Sequence, residues 1–138
     1  MMMIVVSACL AGIECRYNGS SHTMPQIAQM VIKGKAIPIC PEILAGLPIP
    51  RPPAEQYKDK IISLNGDDQT AQYTAGAKVG LTIALASNCK RAILKSNSPT
   101  CGCGLIYDGT FSGKLIHGDG IFTKLLKENG IEVCTEEP

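Results

Sequence analysis

Seven cysteines among 138 residues are the side chains of this sequence most suited to chemistry. Residues 1–10 lack the basic segment of a secretory signal, so we expect a cytoplasmic protein without a signal peptide. An odd number of cysteines in such a chain argues against a framework of disulfides alone. A metal, redox or catalytic use is therefore favoured for some of them. Cys89 and Cys134 lie in regular apolar segments, and we expect both to be packed core thiols.

Three of the cysteines each follow a predicted strand. Cys9 follows the strand 4–8, Cys40 ends the strand 36–40, and Cys101 lies in the loop after the strand 91–95. Loops that follow parallel strands lie at the same carboxyl edge of an open sheet, so these cysteines should meet in space. Three well-separated thiolates suit an iron–sulfur cluster with one open metal position. Structural zinc and buried thiols without a metal are the alternatives.

Two polar side chains near these cysteines have the chemistry of catalytic groups. Glu42 lies two residues after Cys40, where partial burial would suit it to act as a general base. Ser98, three residues before Cys101, could donate a hydrogen bond or position a water molecule. The alternatives are a solvated loop carboxylate for Glu42 and a turn residue for Ser98.

Two arginines and a tyrosine are expected at the same mouth. Arg16 and Arg51 could bind an anionic or carbonyl group, and Tyr17 could stack on a planar ligand. The arginines are equally suited to structural salt bridges or to anchoring loops. For Cys15 and Cys103 the sequence leaves three roles open: an outer thiol, a spare ligand or a bystander.

The order of the elements predicts one α/β domain over residues 1–138, with a mainly parallel, Rossmann-like sheet flanked by helices. Strands are predicted over 4–8, 36–40, 91–95 and 131–134, and helices over 22–33, 70–88 and 120–129. The Pro-rich segment 41–53 predicts a stiff, extended loop. Segment 57–68 predicts a hairpin with its strand over 60–64 and its turn at Asn65 and Gly66, and segment 105–115 a second small excursion.

Charge and hydropathy exclude several classes of function. The net charge is +1 and the basic residues are scattered, so polymer nucleic acid is not an expected partner. No apolar run approaches the roughly 20 residues of a membrane span. The glycine patterns of dinucleotide and P-loop sites are also missing from the sequence. A small-molecule ligand is therefore the expected partner.

Six segments, taken together and in this order, resemble the thiouracil desulfidase-like family of short bacterial proteins. They run over nearly the whole chain: VSACLAG (6–12), CRYNG (15–19), CPE (40–42), GLPIPRPPAE (46–55), LKSNSPTCG (94–102) and YDGTFSG (107–113). The resemblance implies a 4Fe–4S cluster held by Cys9, Cys40 and Cys101, with one iron open to the sulfur of the substrate. By the same resemblance, Glu42 and Ser98 would assist the water that replaces sulfur by oxygen.

The activity that the resemblance implies is a non-redox desulfuration of a small thiolated nucleobase or nucleoside, with release of sulfide. One rival is a carrier that passes iron, sulfur or electrons to another protein, and a second is a zinc or thiol domain without turnover. Glu42 distinguishes the desulfuration enzyme from the carrier, because a carrier has no need of a carboxylate beside an open iron.

Overall fold

The computed structural model describes residues 3–137, so Met1, Met2 and Pro138 lie outside the described residues. The strands, in chain order, are β1 (Ile4–Ser7), β2 (Ala36–Ile39), β3 (Ala54–Tyr57), β4 (Lys60–Ser63), β5 (Arg91–Leu94), β6 (Leu105–Tyr107), β7 (Leu115–His117) and β8 (Glu132–Thr135). The helices are α1 (Pro25–Ile32), α2 (Pro41–Leu44), α3 (Thr70–Ala86) and α4 (Ile121–Glu128). None of the helices in the described part is long and apolar enough to cross a bilayer.

The central sheet has four strands in the order β2-β1-β5-β8, and all neighbours are parallel. In the register of this sheet, Val6 of β1 lies between Pro38 of β2 and Ile93 of β5. Val5 and Val6 are both fully buried, which is typical of a parallel strand covered on its two faces. The predicted α/β class with a mainly parallel sheet is confirmed.

Helices cover the sheet on both faces. Val5 packs in one core cluster with Ala77 of α3 and Phe122 of α4, whereas Val6 packs in another with Ile27 of α1. Adjacent residues of a strand point to opposite faces, so these two clusters mark the two sides of the sheet. The small residues of α3 allow this packing, because a Cβ at Gly80 would lie 2.9 Å from the Phe122 ring.

The edge strand β8 overturns one prediction about the cysteines. Cys89 is buried, as expected, but Cys134 is exposed and its thiol only approaches the carbonyl of Ala92, at 3.7 Å. Val133 packs against the core, so the alternation along the strand turns Cys134 away from it. The prediction of a packed core thiol at Cys134 was therefore wrong.

Two turns of helix replace predicted irregular segments. Residues Ala8–Ala11 form a 3₁₀ turn directly after β1, where a loop was expected. The segment predicted as an extended loop over 41–53 begins instead with α2, whose first residue is Pro41. Proline is favoured at this position because its missing N–H has no partner there in any helix.

Both predicted excursions are antiparallel hairpins, β3 with β4 and β6 with β7. The turn of the first hairpin was misplaced by the sequence. Lys58 and Asp59 form it, both with positive φ, as a tight two-residue turn requires. Asn65 and Gly66 reverse the chain after β4 instead, where the Gly66 N–H donates to the carbonyl of Ser63 at 2.8 Å.

Candidate active site

One cavity of about 390 Å³ opens at the carboxyl ends of β1, β2 and β5. Cys9, Cys40 and Cys101 all line it, and Cys15 joins them. The three strand-end loops thus meet at one edge of the sheet, as the topology of a parallel sheet dictates. Cys103 is not among the lining residues, and its thiol lies 3.6 Å from the carbonyl of Val133.

Short local devices fix the ends of these strands. The 3₁₀ turn that carries Cys9 closes on Gly12, which has φ +100° and donates its N–H to the carbonyl of Ala8. The hydroxyl of Ser7 accepts a hydrogen bond from the N–H of Lys95 at 2.9 Å and so links the ends of β1 and β5. Cys40 directly precedes the first turn of α2.

Ser98 shapes the turn that presents Cys101. Its hydroxyl oxygen accepts hydrogen bonds from the N–H groups of Thr100 and Cys101, at 3.2 and 2.7 Å. This is the turn-forming role that the sequence offered as the alternative. Ser98 also lines the cavity, where its hydroxyl hydrogen-bonds to the Cys101 thiol.

The pKa values of three cavity thiols, those of Cys15, Cys40 and Cys101, are raised. Burial raises the pKa of Cys101 to about 12, although hydrogen bonds from Ser7 and Ser98 oppose the shift. A hydrogen bond to Cys15, together with burial, raises the pKa of Cys40 far above its usual range. The bond with Cys40 lowers the pKa of Cys15, but its bond with Cys9 and its burial outweigh this and raise it to about 11.

The thiols line the wall of a cavity and do not surround a point. Within residues 3–137, no three His, Cys, Asp or Glu side chains are arranged to hold a single metal ion. The chemistry of the donors is nevertheless that of a soft metal site, since thiolate sulfur prefers zinc and iron–sulfur clusters.

Hydrogen bonds hold both oxygens of the Glu42 carboxylate in the cavity. Its Oε1 accepts from Nε and Nη2 of Arg51, at 3.0 and 2.8 Å, and lies 3.5 Å from the Tyr73 hydroxyl. Its Oε2 accepts from the Thr100 hydroxyl at 2.8 Å. The Glu42 side chain is only 17% exposed. It is therefore not the solvated loop carboxylate that the sequence allowed.

Arg51 ties three segments together. Besides Glu42, its guanidinium donates to the carbonyls of Pro48 and Cys15, at 3.2 and 2.8 Å, and its N–H donates to the carbonyl of Tyr17. Its side chain is 4% exposed. These contacts match the loop-anchoring alternative, although Arg51 also lines the cavity and its role toward a substrate stays a prediction.

Aromatic side chains stand at the mouth of the cavity. Tyr17 is 39% exposed, and the guanidinium of Arg16 lies 6.0 Å from the centre of its ring. Both residues line the cavity, as predicted from the sequence, and so do Tyr107 and Phe111. The site thus combines thiols, a fixed carboxylate and flat aromatic rings around one cavity.

No definite role was assigned from the sequence to five of these side chains, namely Cys15, Tyr73, Thr100, Tyr107 and Phe111. Thr100 and Phe111 lie inside matched segments, but nothing in a linear pattern shows which side chain of a loop faces a cavity. Tyr73 has the spacing of an ordinary core residue of α3. Cys15 was left open, and only the fold shows that it is buried between Cys9 and Cys40.

Comparisons with known proteins agree with this picture. The model of the family described as 2-thiouracil desulfurase matches residues 4–138. The uncharacterized protein YbbK of Bacillus subtilis (strain 168) is 46% identical over 144 residues, which cover 97% of this chain and 95% of that protein. The solved structure of the [4Fe-4S]-dependent thiouracil desulfidase TudS superposes with a TM-score of 0.94 at 40% identity, covering 99% of this chain and 92% of that one. The chain therefore belongs to the 2-thiouracil desulfurase family.

Proposed function

We propose that this protein removes sulfur from a small thiolated nucleobase or nucleoside such as 2-thiouracil, with a [4Fe–4S] cluster held by Cys9, Cys40 and Cys101. The reaction is hydrolytic and non-redox: a C=S group and water give a C=O group and hydrogen sulfide. The observation that carries the proposal is the meeting of three strand-end thiols and a fixed carboxylate around one cavity. Family membership and the likeness to TudS support it.

The residues present fit the cluster. Cys9, Cys40 and Cys101 come from three separate loops, and soft thiolates are the usual ligands of iron–sulfur clusters. Because the pKa values of Cys40 and Cys101 are raised, both thiols would release a proton on binding iron. A cavity of about 390 Å³ is also within the size range of small-molecule sites. When bound, the cluster supplies an iron atom that acts as a Lewis acid toward the sulfur of the substrate.

Glu42 is the proposed general base. The two donors of Arg51 fix the plane of its carboxylate. Its Oε2 accepts one hydrogen bond, from Thr100, which leaves a lone pair for a water molecule. A base held in this way can take a proton from the attacking water without first reorganising. A carrier of iron or sulfur would have no use for such an arrangement.

Ser98, Tyr17 and Arg16 are the proposed supporting groups. The Ser98 hydroxyl, whose oxygen accepts two backbone N–H groups and which also hydrogen-bonds to the Cys101 thiol, is placed beside that cysteine to orient the attacking water. Tyr17 offers a flat face on which a pyrimidine ring can stack. Arg16, over that ring, can donate to a carbonyl of the substrate.

The test is turnover of 2-thiouracil by the cluster-loaded protein under anaerobic conditions. We expect loss of the thiocarbonyl absorbance with equal yields of uracil and sulfide. Glu42→Gln should lower kcat at least about 100-fold at unchanged iron content, because a positioned base contributes about this much. Cys134→Ser, which changes an exposed thiol, is the matched control and should behave as wild type. A loaded protein that releases no sulfide from thiolated bases or nucleosides, or a fully active Glu42→Gln variant, would overturn the proposal.

A further inference from the structure

The loop between β6 and β7 carries an aromatic side chain in an unusual backbone conformation. Phe111 has φ +55°, in the left-handed region that bulky side chains rarely adopt. Its side chain is half-buried and lines the cavity described above. Strained backbone of this kind persists only where the surrounding structure holds it, and it is concentrated at functional sites.

Glu55 of β3 holds the strained segment. Its Oε1 accepts hydrogen bonds from the N–H of Gly109 and the N–H of Phe111, at 3.0 and 3.1 Å. Glu55 is 9% exposed, so this is a charged group placed in the interior to bind the loop backbone. Bonds to a carboxylate are stronger than bonds between neutral groups.

The rest of the loop is fixed just as firmly. The Asp108 carboxylate accepts from the N–H and the hydroxyl of Thr110, at 2.9 and 2.6 Å. Gly109 lies against β3 so closely that a Cβ would come within 2.6 Å of the carbonyl of Gln56. Contacts of Gly109 and of the Phe111 N–H therefore set the position of Phe111.

From this placement we infer that Phe111 determines specificity, as an apolar wall that, together with Tyr17, selects a planar heterocyclic ring for the thiolated substrate. The inference rests on the proposed function. The Phe111 side chain has no polar atom, so it can stack on a flat ring but cannot form hydrogen bonds with the substrate. A stacked base adds a favourable contact that an acyclic thiocarbonyl compound cannot make. The wall thus separates thiolated rings from acyclic thioureas, which carry the same N–C(=S)–N unit.

The experiment compares kcat/KM for 2-thiouracil and for thiourea in cluster-loaded wild type and three variants. Wild type should favour 2-thiouracil, and Phe111→Leu, which keeps apolar bulk but not the flat ring, should lose about 10- to 100-fold of that preference. Phe111→Tyr, which keeps the flat ring, should retain the wild-type preference. Phe111→Ala should behave as Phe111→Leu, with unchanged iron content.

A structural role would give a different pattern. If Phe111→Leu keeps the wild-type preference, or if Phe111→Tyr loses it, the inference is wrong while the proposed function stands. If wild type releases sulfide from neither compound, the proposed function fails, and binding of uracil by calorimetry then tests the wall alone. In that case we expect wild type and Phe111→Tyr to bind uracil about tenfold more tightly than Phe111→Leu, and equal affinities would overturn the inference.

Discussion

Arg51 lies in the Pro-rich segment, and its guanidinium donates two hydrogen bonds to the Glu42 carboxylate. Replacing Arg51 by Met keeps an unbranched side chain of similar length but removes both donors. The change leaves a carboxylate that is 17% exposed without its cation. It also leaves the carbonyls of Pro48 and Cys15 without the donors that they have in the native protein. The Glu42 side chain would keep only its contacts with Thr100 and Tyr73.

The expected cost follows from burial. Removing one partner of a buried, hydrogen-bonded ion pair destabilises a protein by about 3–5 kcal/mol, because the other charge stays buried and unpaired. A domain of this size is stable by about 5–15 kcal/mol, so the variant should still fold. An exposed pair of similar length is the matched control. Lys127 and Asp119 lie 3.0 Å apart with side chains 43% and 26% exposed, and Lys127→Met should cost less than about 1 kcal/mol.

The assay is urea unfolding of the cluster-free, reduced protein near neutral pH, with the free energy of unfolding taken from the midpoint and slope. The double variant with Glu42→Gln should be more stable than Arg51→Met alone, because it removes the unpaired buried charge. If Arg51→Met costs no more than Lys127→Met, or if Glu42→Gln adds to its cost in full, the ion pair does not organise this site and the reasoning is refuted.

Three further changes test the same account. Thr100→Val removes the hydroxyl that binds Oε2 of Glu42, so kcat should fall about tenfold at unchanged KM in steady-state assays, and Thr100→Ser should restore it. Gly76→Ala should lower the urea midpoint although alanine favours helices, because a methyl group there would overlap the carbonyl of Pro41 in α2. Burial raises the pKa of Cys101 to about 12, so the folded cluster-free protein holds a proton that the unfolded chain releases near pH 9. The contribution of the Cys101 thiol to the free energy of unfolding should therefore be fully present below pH 9 and be lost as the pH rises toward 12. Urea unfolding at a series of pH values measures this loss, and the fall in stability should be smaller in Cys101→Ala.

Much of the fold could be predicted from the sequence because its signals are local. Short apolar runs such as residues 92–94 predicted strands of the sheet, and the helical spacing after Thr70 predicted the longest helix. The topology of a parallel sheet then placed three cysteines at one edge. The hairpin turn at Lys58 and Asp59 was missed because neither residue is a usual turn former, whereas Asn65 and Gly66 are.

The parts of the site that were missed depend on tertiary contacts. Thr100 reaches Glu42 across 58 positions of sequence, and Glu55 reaches Phe111 across 56. No linear spacing indicates such pairs. The exposure of Cys134 likewise depends on the place of β8 at the edge of the sheet, which the sequence of the strand does not reveal.

The most direct test of the central claim is anaerobic reconstitution with iron and sulfide, followed by iron and labile-sulfide counts and the visible spectrum. Wild type should take up about four irons and turn brown. Cys9→Ser, Cys40→Ser and Cys101→Ser should each lose most of the iron, while Cys134→Ser and Cys103→Ser should match wild type because neither thiol lines the cavity. A colourless wild type, or cavity variants that bind iron as well as Cys134→Ser does, would contradict the assignment of these three cysteines as cluster ligands.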